Sequence, residues 1–231
     1  MRIVYSILMV VGTPFVLLYF TLRGFRDRSY LQRWPERFGR VPPSARPGGI
    51  LVHAASVGEV NAGRSLIRSL ARIFPDHAIT VSTLTPTGST QVHRELGDDV
   101  SSCYIPIDIP SLVKQFLKRL QPRLIIVIET EIWPNLYLEA QRSGIPLVMA
   151  NARLSERSAK RYRIASDLVA QTLQRVTWIG AQSVDDQRRL IECGANADTV
   201  RMTGNLKFDL DVSARLHEKG KALRARWGHS R

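Results

Sequence analysis

Leu124-Ile125-Ile126-Val127-Ile128, followed at once by Glu129-Thr130-Glu131-Ile132-Trp133-Pro134-Asn135, is the stretch that decides the fold. An unbroken apolar run, rather than an alternating one, predicts a strand covered on both faces, as in a parallel sheet layered between helices. Two carboxylates directly after such a strand are costly unless they are solvated, paired or used. The same rhythm extends in both directions. Toward the N-terminus the pattern predicts strands over Ile50–His53, Ala78–Thr83 and, more weakly, Val100–Ile105, with helices over Val60–Ile73, from about Thr87 to Leu96, and over Ser111–Leu120, the last capped by Ser111 after Pro110. Toward the C-terminus it predicts helix Leu136–Arg142 stopping at Gly144, strand Leu147–Ala150, and helix Ser155–Arg175 broken near Arg163–Ser166. Strand Trp178–Ala181, helix Val184–Cys193 stopping at Gly194, strand Val200–Met202 and an exposed charged helix over Ser213–Trp227 complete the series. Alternating strands and helices make a doubly wound α/β domain, whose ligands sit at the carboxyl ends of the strands.

The ends of the chain read differently. Ile3 to Leu22 carries no charge, and about 20 apolar residues suffice to cross a hydrocarbon core. The run ends in Tyr19-Phe20-Thr21-Leu22-Arg23 without a small-residue cleavage site, so it reads as an uncleaved anchor. It lacks the charged face of an interfacial helix. Arg23, Arg26, Arg28, Arg33, Arg37 and Arg40 follow it and place the remainder on the cytoplasmic side, as a single-pass protein. Residues 1–22 are therefore expected to be a transmembrane anchor and 23–48 a basic juxtamembrane segment and linker. Residues 49–212 form the α/β domain, and 213–231 a helix leading onward.

In 231 residues there are 33 Lys and Arg against 20 Asp and Glu, a net charge of +13. Such a surface attracts phosphates, including anionic lipid. No basic, aromatic-bearing recognition motif accompanies the charge, which argues against nucleic acid. Two distant cysteines, Cys103 and Cys193, make neither a disulfide framework nor a zinc site, and the five histidines are scattered.

Five loops, four of them directly after strands, concentrate chemistry-bearing residues. His53-Ala54-Ala55-Ser56-Val57-Gly58-Glu59 joins small residues, which let a ligand approach the backbone, to a carboxylate at a helix start. Glu59 is equally readable as an ordinary first-turn helix acid. No dinucleotide fingerprint is present. Thr83-Leu84-Thr85-Pro86-Thr87-Gly88-Ser89 could cap a helix or bind an anion. Glu129 and Glu131 follow the central strand, and Asn151-Ala152-Arg153-Leu154-Ser155 the next. Near the end lies Gly204-Asn205-Leu206-Lys207-Phe208-Asp209, where a lysine can meet an anion.

Taken in this order, from about Pro47 to Asp209, these motifs closely resemble the N-terminal domain of the 3-deoxy-D-manno-octulosonic acid (Kdo) transferases of lipopolysaccharide synthesis. The anchor and basic segment match as well. The resemblance implies a Rossmann-like domain forming the N-terminal half of a two-domain GT-B glycosyltransferase. It implies transfer of Kdo from CMP-Kdo to the 6′-hydroxyl of a tetraacylated, phosphorylated lipid A precursor, at the cytoplasmic face of the inner membrane. Inversion at the anomeric carbon and no catalytic metal or other cofactor go with it. Carried over by motif, Glu59 matches the general base, and Glu129 and Lys207 match transition-state stabilisers. Ser56, Gly58, Thr85, Gly88, Glu131, Asn151, Arg153 and Asn205 are the candidate substrate-binding residues. Family members run to roughly twice a single such domain, so this chain is expected to be a half-enzyme, lacking the domain that supplies most CMP contacts and inactive alone. A different class, a non-catalytic membrane-anchored domain binding lipid phosphate, would share the basic surface without turnover.

Overall fold

The structure is a computed structural model, and it describes residues 1–208 together with 221 and 224. The helix expected over Ser213–Trp227 lies, those two residues apart, outside the described residues.

Seven strands form one parallel sheet: β1 (Ile50–His53), β2 (Ile79–Thr83), β3 (Ser101–Tyr104), β4 (Leu124–Ile128), β5 (Leu147–Ala152), β6 (Trp178–Ala181) and β7 (Val200–Met202), in the order β3-β2-β1-β4-β5-β6-β7. The chain builds outward from β1 to β3, then returns past β1 to lay down β4. The order therefore reverses between β1 and β4, which pair in register from Ile50 opposite Leu124 to His53 opposite Val127. Loops leaving this pair diverge to opposite faces and leave a crevice at the carboxyl ends.

The unbroken aliphatic run of β4 has the expected cause. Ile126 and Ile128 join Ile50, Val52 and Val81 of the neighbouring strands under α3 (Val57–Ile73) and α4 (Pro86–Leu96). Ile125 and Val127 join Leu51, Met149 and Ile179 on the other face. That face is covered by α5 (Pro110–Leu120), α6 (Pro134–Arg142) and α8 (Ser166–Leu173) through Phe116, Leu120, Leu136 and Leu173. Phe116 is fully buried, and its truncation to alanine would cost about 3–5 kcal/mol. Between β5 and α8 comes α7 (Glu156–Tyr162), separated from α8 by a 3-10 turn at Arg163–Ala165, where the sequence pattern breaks. Helix α9 (Val184–Glu192) follows β6.

Two expectations are corrected. Ser111 caps nothing: Pro110 occupies the first helical position of α5, Ile109 precedes it, and no side chain caps the helix. Proline has no N–H to satisfy there. The acid just upstream, Asp108, instead accepts the N–H groups of Asn135 and Leu136 at 3.0 and 2.8 Å and so caps α6. Strand β5 runs two residues beyond Ala150, with a register irregularity between Met149 and Ala152, so Asn151 belongs to the strand end and not to a loop. Within the segment 23–48, the part after the first helix is folded onto its neighbours. A 3-10 turn (Arg28–Leu31) packs against the helix before it, and α2 (Trp34–Arg37) docks on the sheet edge at β3. Glu36 accepts the backbone N–H of Tyr104 at 2.8 Å, and Arg37 donates to the carbonyl of Leu84 at 3.0 Å.

Ahead of them α1 (Arg2–Gly24) is long and apolar enough to cross a bilayer.

Candidate active site

Ser56 ends the β1 loop as the N-cap of α3, its hydroxyl oxygen accepting the Glu59 N–H at 3.3 Å. The Glu59 carboxylate turns back on the loop. It accepts the Ala55 N–H at 2.7 Å and the Ser56 hydroxyl at 2.8 Å. This is a capping box in form. It explains why a first-turn acid belongs here, and it holds the carboxylate in one position at the β1/β4 crevice. Helix α3 thus begins three residues earlier than its hydrophobic pattern suggests, and Glu59 lies within it.

The electrostatics are not those of an ordinary cap. Glu59 is only 8% exposed. Burial raises its carboxyl from 4.5 to about 7, against the two hydrogen bonds, and the charges of Glu131 and Glu129 push the same way. Glu131 is itself raised by burial, with the Trp133 indole N–H donating to it at 3.1 Å as the opposing effect. Among the described residues none of the three acids has a basic ion-pair partner. Glu129 and Glu131, in the loop after β4, thus lie near enough for their charges to act on Glu59 across the β1/β4 reversal. The three acids compose no cluster of metal-ligating type among the described residues.

Glu129 is held in a strained backbone conformation, φ +63°, immediately after β4, with its N–H donated to the carbonyl of Ala150 at 2.8 Å. Asn151 also has positive φ, +60°, which an asparagine tolerates better. Its side chain is buried and its Oδ1 accepts the Leu206 N–H at 3.0 Å, while Nδ2 has no partner. That bond draws the turn after β7 back across the sheet. Leu206 packs into the core under α3, and the turn Leu206–Phe208 lies against that helix. Asn205 accepts the Lys207 N–H at 2.9 Å, and the lysine itself is exposed. Residues from β1, β4, β5 and β7 thus reach one end of the sheet.

The other candidates divide. Gly58 is exposed, and a Cβ there would meet only Ser56 Oγ at 3.7 Å, so the fold itself does not demand glycine. Thr85 and Gly88 have a structural job: the threonine hydroxyl caps α4 by accepting the Gly88 N–H at 3.1 Å, and a Cβ on Gly88 would crowd Thr83 and Thr85 at 3.2–3.3 Å. Arg153 is exposed, its backbone clipped to Thr130, whose hydroxyl accepts the Arg153 N–H at 2.9 Å and donates to its carbonyl at 2.7 Å.

Two residues outside the candidate set belong to this end of the sheet. Gln182 donates to the carbonyl of Asn151 at 3.0 Å and accepts from Asn205 at 3.1 Å, bridging two of the candidates. Its position directly after β6 was the available signal. His53, the last residue of β1, is fully buried; its Nδ1 lies 3.0 Å from Ser82 Oγ, its Nε2 has no partner, and burial lowers its pKa to about 4. The ring meets Trp133 edge-on, with centroids 5.6 Å apart. A neutral imidazole and an indole thus wall the crevice beside Glu131.

The strand order, with helices on both faces, defines a doubly wound, Rossmann-like half-domain. UDP-GlcNAc 2-epimerase from Methanocaldococcus jannaschii aligns with 78% of this chain and 52% of its own at a TM-score of 0.54 and 14% identity, a likeness of fold. The sequence decides the family. The profile of the 3-deoxy-D-manno-octulosonic-acid transferases (kdotransferases) matches residues 32–210, and the chain belongs to that family. It is 38% identical over its full length to the 3-deoxy-D-manno-octulosonic acid transferase of Haemophilus influenzae, covering 54% of that protein. It is 31% identical to the Bordetella pertussis transferase, over 90% of this chain and 50% of the relative. The chain thus spans about half the length of these curated relatives.

Proposed function

We propose that this domain is the acceptor-side half of an inverting glycosyltransferase that moves Kdo from CMP-Kdo to the 6′-hydroxyl of a phosphorylated lipid A precursor. The reaction would take place at the cytoplasmic face of the inner membrane. Glu59 carries the reading. A general base works best with a pKa near the working pH, and this carboxyl, raised to about 7, sits at the crevice where the fold places ligands. In the proposed step the Glu59 carboxylate takes the proton of the acceptor hydroxyl as that oxygen bonds to the anomeric C2 of Kdo. The bond from C2 to the CMP phosphate oxygen breaks, and CMP leaves with the electron pair. Glu129 and Glu131 support the base by keeping its proton affinity high. Lys207 is available to the carboxylate of Kdo or the leaving phosphate, and Arg153 to an acceptor phosphate. No metal enters this scheme.

The CMP moiety falls to a second domain, so residues 1–231 alone should give no measurable transfer: one domain does not enclose the donor or exclude water. The test joins this domain to the C-terminal half of the Haemophilus influenzae relative and compares Glu59→Gln with the parent. Base removal should lower kcat by about 10²–10⁴-fold, with donor affinity little changed. Retention of more than about a third of the parental kcat would remove Glu59 from the mechanism.

A further inference from the structure

The 23 residues of α1 are not alike all round. Val4, Ile7, Val11, Phe15, Leu18 and Leu22 follow one another at helical spacing, and each is more than half exposed. The opposite stripe, with Tyr5, Ser6, Thr13 and Phe20, is half-buried along the length of the helix. This stripe is fastened to the domain at both ends. Near the N-terminus the Tyr5 hydroxyl donates to Asp108 at 2.9 Å and the Ser6 hydroxyl to Asn135 at 3.1 Å. Near the C-terminus the Phe20 ring stacks on the Arg37 guanidinium at 4.2 Å and tilts against Tyr30, and Gly24 is buried against Leu31.

Those two attachments are about 22 Å apart along the helix axis at 1.5 Å per residue. Were α1 to run along the bilayer normal, the domain surface carrying Asp108, Asn135 and Arg37 would have to follow it through most of the hydrocarbon, where polar groups without partners are costly. We propose that α1 does not span the membrane. It lies in the membrane plane, with its outer apolar face set into the headgroup–acyl boundary of an anionic phospholipid bilayer and its inner face on the domain. An isolated interfacial helix needs a charged face because its other side meets water. Here the other side is fastened to protein at both ends, so an uncharged helix can lie flat. Arg23, Arg26 and Arg28, all exposed, follow it and suit anionic headgroups.

The attachment points follow β3 and β4, and Arg37 is bonded to the carbonyl of Leu84 after β2. The membrane face is thus beside the carboxyl ends of the strands, on the side where Glu131 and Thr85 lie. Its use in presenting a lipid headgroup to Glu59 rests on the transferase reading; the in-plane helix does not.

The full chain, with Cys193→Ser to leave only the buried Cys103, is labelled with a fluorophore at Val4→Cys, Val11→Cys or Leu18→Cys and bound to phosphatidylethanolamine–phosphatidylglycerol vesicles. The lipids carry a quencher either near the headgroup or near the acyl terminus. All three sites should be quenched alike, and more strongly by the shallow quencher. Depth that changes along the helix, with Val11 reached best by the deep quencher, would overturn the proposal, and so would absence of quenching at all three. The substitutions lie on the exposed face, and circular dichroism confirms folding. Transfer measured separately on the joined two-domain protein leaves the two readings independent: shallow labels with no transfer strike the catalytic reading alone, and graded labels with normal transfer strike only this one.

Discussion

Glu36 and Glu59 are both acids in the first turn of a helix, 7% and 8% exposed, and their surroundings are opposite in kind. Glu36 receives two bonds from Arg33, at 2.7 and 2.8 Å, and the Tyr104 N–H at 2.8 Å; the Arg33 guanidinium also lies 4.5 Å over the Tyr104 ring. That is a forked, charge-compensated pair in which each carboxylate oxygen has a donor. Glu59 receives one backbone N–H and one hydroxyl, and its charged neighbours are acids. Charge is cancelled at the first site and left standing at the second. The first arrangement ties the N-terminal segment to the sheet edge. The second gives the fold only a helix cap, which a neutral glutamine could partly imitate. A strained or uncompensated group that stability does not require is a mark of chemistry.

The sharpest way to break this contrast is to make one substitution at both sites. In the joined two-domain protein, Glu59→Gln should cost about 10²–10⁴-fold in transfer and little in folding. Glu36→Gln should do the reverse. It strands the Arg33 guanidinium, which is mostly covered, and should lower stability by about 2–4 kcal/mol in urea unfolding. Transfer per folded molecule should stay near the parent's. A Glu36 variant that kept its stability, or lost transfer while folded, would erase the distinction.

The next effect is in pH. Glu59 ionises near 4.5 in the unfolded chain and near 7 in the fold. Between those values the folded form holds a proton that the unfolded form has lost, so this group's contribution to stability falls as pH rises, by roughly 2–3 kcal/mol across the window. His53 acts in the opposite sense. Buried neutral, with its pKa lowered to about 4, it contributes stability that is lost as pH falls from 6.5 toward 4. The two partly cancel in the parent. Urea midpoints of Glu59→Gln and parent, compared from pH 4.5 upward, separate them: the variant should gain relative to the parent up to about pH 7 and then level off. A flat difference would mean that Glu59 has an ordinary carboxyl pKa and is an ordinary cap.

These contrasts also mark how far sequence reading reaches. The core of the sheet was legible because Leu124–Ile128 is apolar on both faces, and each neighbouring strand repeats the signal at about the right interval. The loops of Glu59, Glu129 and Lys207 were marked by their motifs, and the structure brings those loops to one end of the sheet. What escaped depends on contacts distant along the chain. Asp108 caps a helix that begins 26 residues later, so no local pattern announces it, and the cap expected of Ser111 on its own helix is absent. The basic run after Arg23 reads as a juxtamembrane segment, yet Arg37 is buried between two aromatic rings supplied by Phe20 and Tyr104. Hydropathy weighs α1 as a whole and is silent on which stripe meets protein, and that stripe decides whether the helix can lie flat.

The smallest effect concerns the backbone of Glu129. A residue other than glycine in the left-handed region carries a penalty of about 1–2 kcal/mol, which glycine escapes. The Glu129 N–H is bonded to Ala150, so the conformation is held by the sheet and should persist in variants. Glu129→Ala and Glu129→Gly both remove the carboxylate, and both should impair transfer to a similar degree. Both also remove a negative charge that raises the proton affinity of Glu59 and Glu131, so that contribution cancels between them. What remains is conformational. At an ordinary strand or helix position alanine is the more stable of the two, by about 0.5–1 kcal/mol. At Glu129 the order should reverse, with the glycine variant more stable by up to about 1 kcal/mol once its larger unfolded-state entropy is set against the relieved strain. Paired urea unfolding curves decide it. If alanine proves equal or better, the positive φ costs nothing here and Glu129 loses its standing as a strained residue. If glycine wins while transfer is lost in both, the chain holds an unfavourable backbone conformation at the end of β4 in order to keep a carboxylate beside Glu59.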